Sequence, residues 1–151
     1  MGRLEEISDM SKNQVKIRIQ NSQGDTETVW AKPLGNNKYI LDNLPFFAYG
    51  LSWQDLVEAY PDSNGVLEFE KIVEKSGHKT VRVINVEGEI PNGFIELITS
   101  IGCGIEGATR KFIAIDIPED VGFDKVIDVV ANSGYEWEYA DPTYEDIHKL
   151  D

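Results

Sequence analysis

The spacing of hydrophobic positions along this chain changes at about residue 79, and that change divides it into two halves. Before it, apolar residues recur at every second position. Val15, Ile17 and Ile19 alternate with Lys16 and Arg18, the period of a strand with one buried face. Asn21–Asp25 reads as a turn, and Thr26–Ala31 reads as a second strand. Pro33 and Gly35-Asn36-Asn37 break it, and the strand pattern resumes at Tyr39-Ile40-Leu41. Pro45-Phe46-Phe47 is too bound by proline for a central strand and predicts an edge or a packed loop. Ser52 and Asp55 have the spacing of a capping box, which predicts a short helix over 53–59 ended by the Pro61–Gly65 turn. Residues 66–75 and 78–86 then read as two strands separated by Ser76-Gly77.

After residue 79 strands and helices alternate. A helix over 92–101 places Phe94, Leu97, Ile98 and Ile101 on one face, with Gly102 and Gly104 to stop it. Strands follow near 105–109 and 111–117. A second helix over 122–132 sets Phe123, Val126, Ile127 and Val130 at helical spacing, and Asn132-Ser133-Gly134 ends it. The last strand, 135–139, alternates Tyr135, Trp137 and Tyr139 with Glu136 and Glu138. The fold class expected is α+β: an N-terminal small curled β-sheet or partial barrel with a short helix, followed by a ferredoxin-like βαββαβ unit. The corresponding domains are a leader over 1–13, a β-rich subdomain over 14–77, a ferredoxin-like subdomain over 78–140 and an acidic tail over 141–151.

Charge narrows the partners. The 151 residues carry 27 acidic against 14 basic side chains, a formal charge of −13. Binding to nucleic acid rests on lysine and arginine set against phosphate, and an anionic membrane surface asks for the same. Neither is expected. The imbalance is concentrated late: residues 119–151 hold ten acidic groups against Lys125 and Lys149. No apolar run approaches the roughly 20 residues that span a bilayer, and the charged N-terminus is no signal peptide. The single cysteine, Cys103, excludes an internal disulfide framework. A cytoplasmic protein is the expectation.

The motifs that could carry chemistry lack the structural context it needs. Gly102-Cys103-Gly104-Ile105-Glu106-Gly107 matches G-x-G-x-x-G, but it follows a helix and opens a strand. The helix dipole there repels a phosphate, so a helix C-cap and tight turn are expected instead. The same position disfavours a reactive thiolate at Cys103. His78 and His148 lack metal-ligand spacing, and His148 falls in the tail. The carboxylate pairs Glu87/Glu89, Glu136/Glu138 and Asp124/Asp128 can arise by chance in so acidic a chain. No catalytic residues, metal or cofactor are therefore expected.

The six aromatics of residues 30–53 (Trp30, Tyr39, Phe46, Phe47, Tyr49, Trp53) read as the core and corner of the N-terminal sheet. They also carry a resemblance. Trp30-Ala31-Lys32-Pro33-Leu34-Gly35, then Tyr39, Leu41, Asn43, Pro45-Phe46, Gly50-Leu51-Ser52-Trp53 and Asp55 resemble a bacterial family known as domain of unknown function 4265. Ser76-Gly77-His78-Lys79-Thr80 and the closing aromatic strand are similar to it too. That resemblance spans roughly residues 14–140 and implies a small bacterial cytosolic protein with no assigned activity.

The function expected is a non-enzymatic acidic module that binds a basic protein. Its most concrete form is an immunity protein neutralising a nuclease-type bacterial toxin. The candidate docking residues are Asp120, Asp124, Asp128, Glu136, Glu138, Asp141, Glu145 and Asp146. The alternatives are a ferredoxin-like regulatory or small-ligand module and a carboxylate-based hydrolase.

Overall fold

A computed structural model describes residues 13–21 and 23–149, so the expected leader lies, apart from Asn13, outside the described residues. Strands β1 (Val15–Gln20), β2 (Thr26–Gly35), β3 (Lys38–Leu41), β4 (Leu56–Pro61) and β5 (Leu67–Glu74) make a closed barrel. Successive strands pair antiparallel, and β1 closes the ring by running parallel to β5, with Ile17 opposite Leu67. Alternation selects the interior: Ile17, Val29, Ala31, Leu41, Val57 and Ala59 are buried. Arg18, on the outer face of β1, joins Glu68 and Asp62 across the closing seam. Pro33 lies within β2 rather than ending it. A register irregularity between Pro33 and Gly35 accommodates the missing donor.

The helix expected over 53–59 is a strand, β4. The Asp55 carboxylate does accept from the Ser52 N–H at 2.8 Å, but it also accepts from the Ser76 N–H at 2.8 Å and from Lys75. Gln54 takes a left-handed φ of 67°, which turns the chain into a strand instead of a first helical turn. Val57 and Ala59 then fill the barrel at strand spacing, and pairing with two neighbours outweighs the local capping signal.

Strands β6 (Lys79–Ile84), β7 (Gly104–Gly107), β8 (Phe112–Ile117) and β9 (Glu136–Asp141) form a second sheet in the order β7-β8-β6-β9, every pair antiparallel. Helices α1 (Asn92–Ile101) and α2 (Phe123–Ala131) cover one face, burying Ile98, Val126 and Val130 against Val81, Val83, Ile113, Ile115 and Ile117. Gly102, at φ 114°, ends α1 in the left-handed conformation, with its N–H bonded to the Thr99 carbonyl. A third helix, α3 (Tyr144–His148), follows β9. The architecture is α+β, with the N-terminal sheet closed into a barrel that contains no helix among the described residues.

The barrel sits on the other face of this sheet, through the 42–52 segment that links β3 to β4. Arg82 of β6 is 1% exposed and donates from Nη1 to the carbonyls of Pro45 (3.0 Å) and Ala48 (2.9 Å), and from Nε to Glu138 (3.1 Å). Its Nη2 has no partner. Phe46 meets Phe112 of β8 edge-on at 5.4 Å. Glu27 of β2 collects the N–H groups of Phe46, Phe47 and Ala48 at 2.7 to 2.8 Å and so shapes the segment from the barrel side. At the far end, the Ser52 hydroxyl donates to Asp141 (2.6 Å) and meets Thr80 (2.8 Å), while Lys75 bridges Asp55 and Asp141. The aromatic segment expected as barrel core is thus largely this joint, with Phe47 and Tyr49 half exposed.

Glu106 of β7 closes the third side, accepting from the Leu44 N–H (3.1 Å) and Asn43 Nδ2 (3.2 Å). Burial pushes its carboxyl above the ordinary glutamate range, against the pull of those two bonds. The folded protein therefore holds this proton to a higher pH than the unfolded chain does. Its cost to stability is absent below the ordinary glutamate value, grows as pH rises through the folded value, and is full above it.

Three outcomes are expected. Ile98→Ala should cost about 2–5 kcal/mol in chemical denaturation, while Leu97→Ala on the exposed side of α1 should stay within about 0.5 kcal/mol. Arg82→Met, which strips donors from two carbonyls and from Glu138, should cost roughly 2–4 kcal/mol. Glu106→Gln should flatten the fall in stability with rising pH; denaturation midpoints from about pH 4 to about pH 8 that run parallel for both proteins would contradict that assignment.

Candidate functional site

The chemistry-bearing residues fall into two groups, those locked in the joint and those gathered along the edge strand β9. The joint group is spoken for. Ser52 is fully buried with its hydroxyl directed to Asp141, and Lys75 is engaged by two carboxylates. His78 Nδ1 lies 2.7 Å from Asp116 Oδ1, with Trp53 edge-on at 5.1 Å. Burial raises the Asp116 carboxyl, and the His78 contact opposes that shift. Cys103 is 6% exposed, and burial, then the Asp116 charge, pushes its thiol up to about 11. At neutral pH it is a protonated thiol packed in the core between sheet and helices, without nucleophilic character. Among the described residues, no three His, Cys, Asp or Glu side chains are grouped to hold a metal ion.

Strand β9 ends the sheet, so one of its backbone edges has no neighbouring strand among the described residues. Its alternation puts Trp137 and Tyr139, joined edge-on at 4.9 Å, against the core shared with the helices. Glu138 projects from the opposite face, where it accepts the Tyr49 hydroxyl at 2.6 Å and Arg82 Nε at 3.1 Å. The bond to Glu138 is the main reason the Tyr49 hydroxyl holds its proton more tightly than usual. Past Asp141 the chain turns back as α3. Thr143 and Asp146 cap it reciprocally, the Asp146 N–H donating to the Thr143 hydroxyl and the Thr143 N–H to the Asp146 carboxylate. His148 stacks on Tyr144 at 3.9 Å and donates from Nδ1 to the Tyr144 carbonyl at 2.8 Å.

Between these elements lies an open recess of about 860 Å³. Tyr49, Trp137, Tyr139 and Tyr144 supply its rings, Glu138 and Glu145 its carboxylates, and Thr143 and His148 its remaining polar edge. Of the eight expected docking residues, Glu138 and Glu145 line it. Glu136 is exposed two positions along the same strand, beside a smaller hollow formed with Arg82, Ile84 and Phe112. Asp146 stands on α3 but is committed to the cap, which holds its carboxyl below the ordinary range. Asp141 is 8% exposed and turned inward onto Lys75 and Ser52, so it is part of the joint and not of a docking face. Asp120, Asp124 and Asp128 are exposed on α2 and the loop before it and do not line the recess. Glu87 and Glu89 lie in the turn after β6 instead of sharing a strand face.

The sequence pattern assigns Tyr49 to the core and corner of the N-terminal sheet and His148 to the tail, and it singles out nothing at Tyr144. The i, i+4 spacing of Tyr144 and His148 behind a capping box was a readable signal for the last two. The contact of Tyr49 with Glu138 spans 89 residues and left no trace in local pattern.

Among the described residues, no helix is long and apolar enough to cross a membrane. No curated protein matches the sequence. A crystal structure of a hypothetical protein from Neisseria gonorrhoeae superimposes with a TM-score of 0.71 at 13% identity, covering 85% of this chain and 93% of that one, and so shares its fold. The model of the family described as Domain of unknown function (DUF4265) matches residues 27–138, from β2 through most of β9. This chain belongs to that family.

Proposed function

We propose that this protein is a non-enzymatic acidic binding module that docks a basic protein on the face formed by β9 and α3. In its most concrete form it is an immunity protein that neutralises a nuclease-type toxin in the cytoplasm. The observation that carries this reading is the convergence of Glu138 and Glu145 with four aromatic rings on one open recess at the sheet edge. Rings supply rigid contact area with little conformational entropy to lose, and carboxylates at the rim select a positive partner. The charge of −13 supplies long-range attraction. A nuclease surface built to hold phosphates is complementary to both. The burial of Ser52 and Cys103 and the engagement of Lys75 and His78 by neighbouring carboxylates support binding over catalysis.

A second reading is a regulatory or small-ligand module. The β-α-β-β-α-β succession, the order β7-β8-β6-β9 and the two helices on one face favour a ferredoxin-like unit for it. Its other sheet face, however, is occupied by the barrel, so a ligand or a second copy would have to use the β9 edge.

Co-expression with the product of the neighbouring gene, followed by calorimetry at two ionic strengths, tests the leading reading. A basic partner should bind, more weakly at high salt. Reversing charge with Glu136→Lys and Glu145→Lys together should weaken it by about tenfold or more. A partner that is not basic, or an affinity indifferent to the reversal, would sink the proposal.

A further inference from the structure

The recess at the β9 edge has the chemistry of a site for one planar cation. Tyr144, backed by His148 at 3.9 Å, lies 6.4 Å from Tyr139, which in turn meets Trp137 at 4.9 Å. These rings form a continuous wall, with Glu138 and Glu145 as its charged boundary. Ring faces attract cations, and the attraction grows when water is displaced from between them. The protein already holds one guanidinium by the same means. Arg82 lies 4.8 Å from the centroid of Tyr49 while its Nε donates to Glu138 at 3.1 Å.

Resting on the docking reading above, the geometry points to a subsite for an arginine side chain of the basic partner, stacked on the Tyr139–Tyr144 wall and hydrogen-bonded to Glu145. Glu138, on the other face of the strand, is already engaged by the Tyr49 hydroxyl at both oxygens (2.6 and 3.1 Å) and by Arg82 Nε (3.1 Å), so it bounds the recess without holding the guanidinium. Glu145 is exposed on α3 at the rim of the recess. Arginine fits better than lysine for two reasons. Its guanidinium is flat and weakly hydrated, so it stacks on rings with a small desolvation cost, and its fork matches a carboxylate. An anionic ligand is repelled by both glutamates, and an apolar one would strand them without water. The recess, at about 860 Å³, also accommodates the side-chain stem and flanking backbone of a partner.

The test is an amide-detected NMR titration of the full chain with a capped arginine pentapeptide, and with the same peptide carrying lysine or citrulline in place of arginine. Saturable shifts should centre on Trp137–Tyr139 and Thr143–His148 with the arginine peptide. Citrulline, which keeps the shape without the charge, should bind about tenfold more weakly, and lysine should fall between them. Tyr144→Ala and Glu145→Gln should each weaken the arginine peptide severalfold while leaving the thermal midpoint unchanged, since both side chains are exposed. Equal binding of the citrulline or lysine peptide, shifts centred elsewhere, no saturable shift, or indifference to Tyr144→Ala would overturn the subsite. A basic protein partner that binds the native chain, loses affinity on charge reversal at Glu136 and Glu145, and keeps it in Tyr144→Ala would overturn the subsite alone and leave the docking reading standing.

Discussion

A guanidinium removed from water needs acceptors, and in this protein the Nε and Nη1 of Arg82 are met from three directions while Nη2 is left without a partner among the described residues. Two of its acceptors are backbone carbonyls of the segment between β3 and β4, and the third is the carboxylate of Glu138 on the neighbouring strand. Displacing that segment would strip the Arg82 Nη1 of both its acceptors and leave the cation with Glu138 alone, a penalty larger than any single apolar contact supplies. The second network, at the other end of β6, works in the same sense. Ser52, Thr80, Lys75, Asp55 and Asp141 draw on the barrel and on the second sheet together. With Glu106 holding residues 43 and 44, the joint is pinned at three points by polar groups around an aromatic contact. Hydrophobic burial brings the two sheets together, and these directional bonds decide how they are placed.

That placement makes the recess. Glu138 faces solvent and Arg82 on the side of the sheet where the barrel lies, and Tyr49 reaches it only because Pro45 and Ala48 are anchored nearby. On the other side of β9, Trp137 and Tyr139 are held by the helices, and α3 brings Tyr144, Glu145 and His148 back alongside. A site at the edge of a sheet has its backbone held by one neighbour and its side chains held by two layers. Such a site keeps its shape before a partner arrives, which lowers the entropy lost on binding.

The elements legible in the sequence were those whose apolar spacing coincided with their burial. Helix α1 buries Ile98 and partly buries Phe94 and Ile101, although Leu97, expected on that face, is exposed, and α2 buries Val126 and Val130, with Gly102 and Asn132 marking their ends. The alternation of β9 was equally plain, and so was its consequence that rings and carboxylates part to opposite faces. The segment 53–59 was misread because Ser52 and Asp55 satisfy a helix-capping pattern with side-chain bonds that in fact serve the joint. Asp141 looked like one of a row of surface carboxylates, yet it is the one turned inward. Nothing local distinguishes it from Glu138 or Glu145, since the cation that claims it, Lys75, lies 66 residues away.

By itself, then, the chain's pattern of residues settled the local matters: where strands and helices run in the second half, the acidic balance, and the family to which the protein belongs. These depend on spacing and composition, which are properties of neighbouring residues. Closure of the barrel, burial of Arg82, the inward turn of Asp141 and the meeting of Tyr49 with Glu138 were decided only by the tertiary structure. Each depends on a pairing of groups distant along the chain, with a free energy set by loss of water on both sides at once. No local pattern records that, because the desolvation that makes such a bond strong exists only after the two sheets have come together.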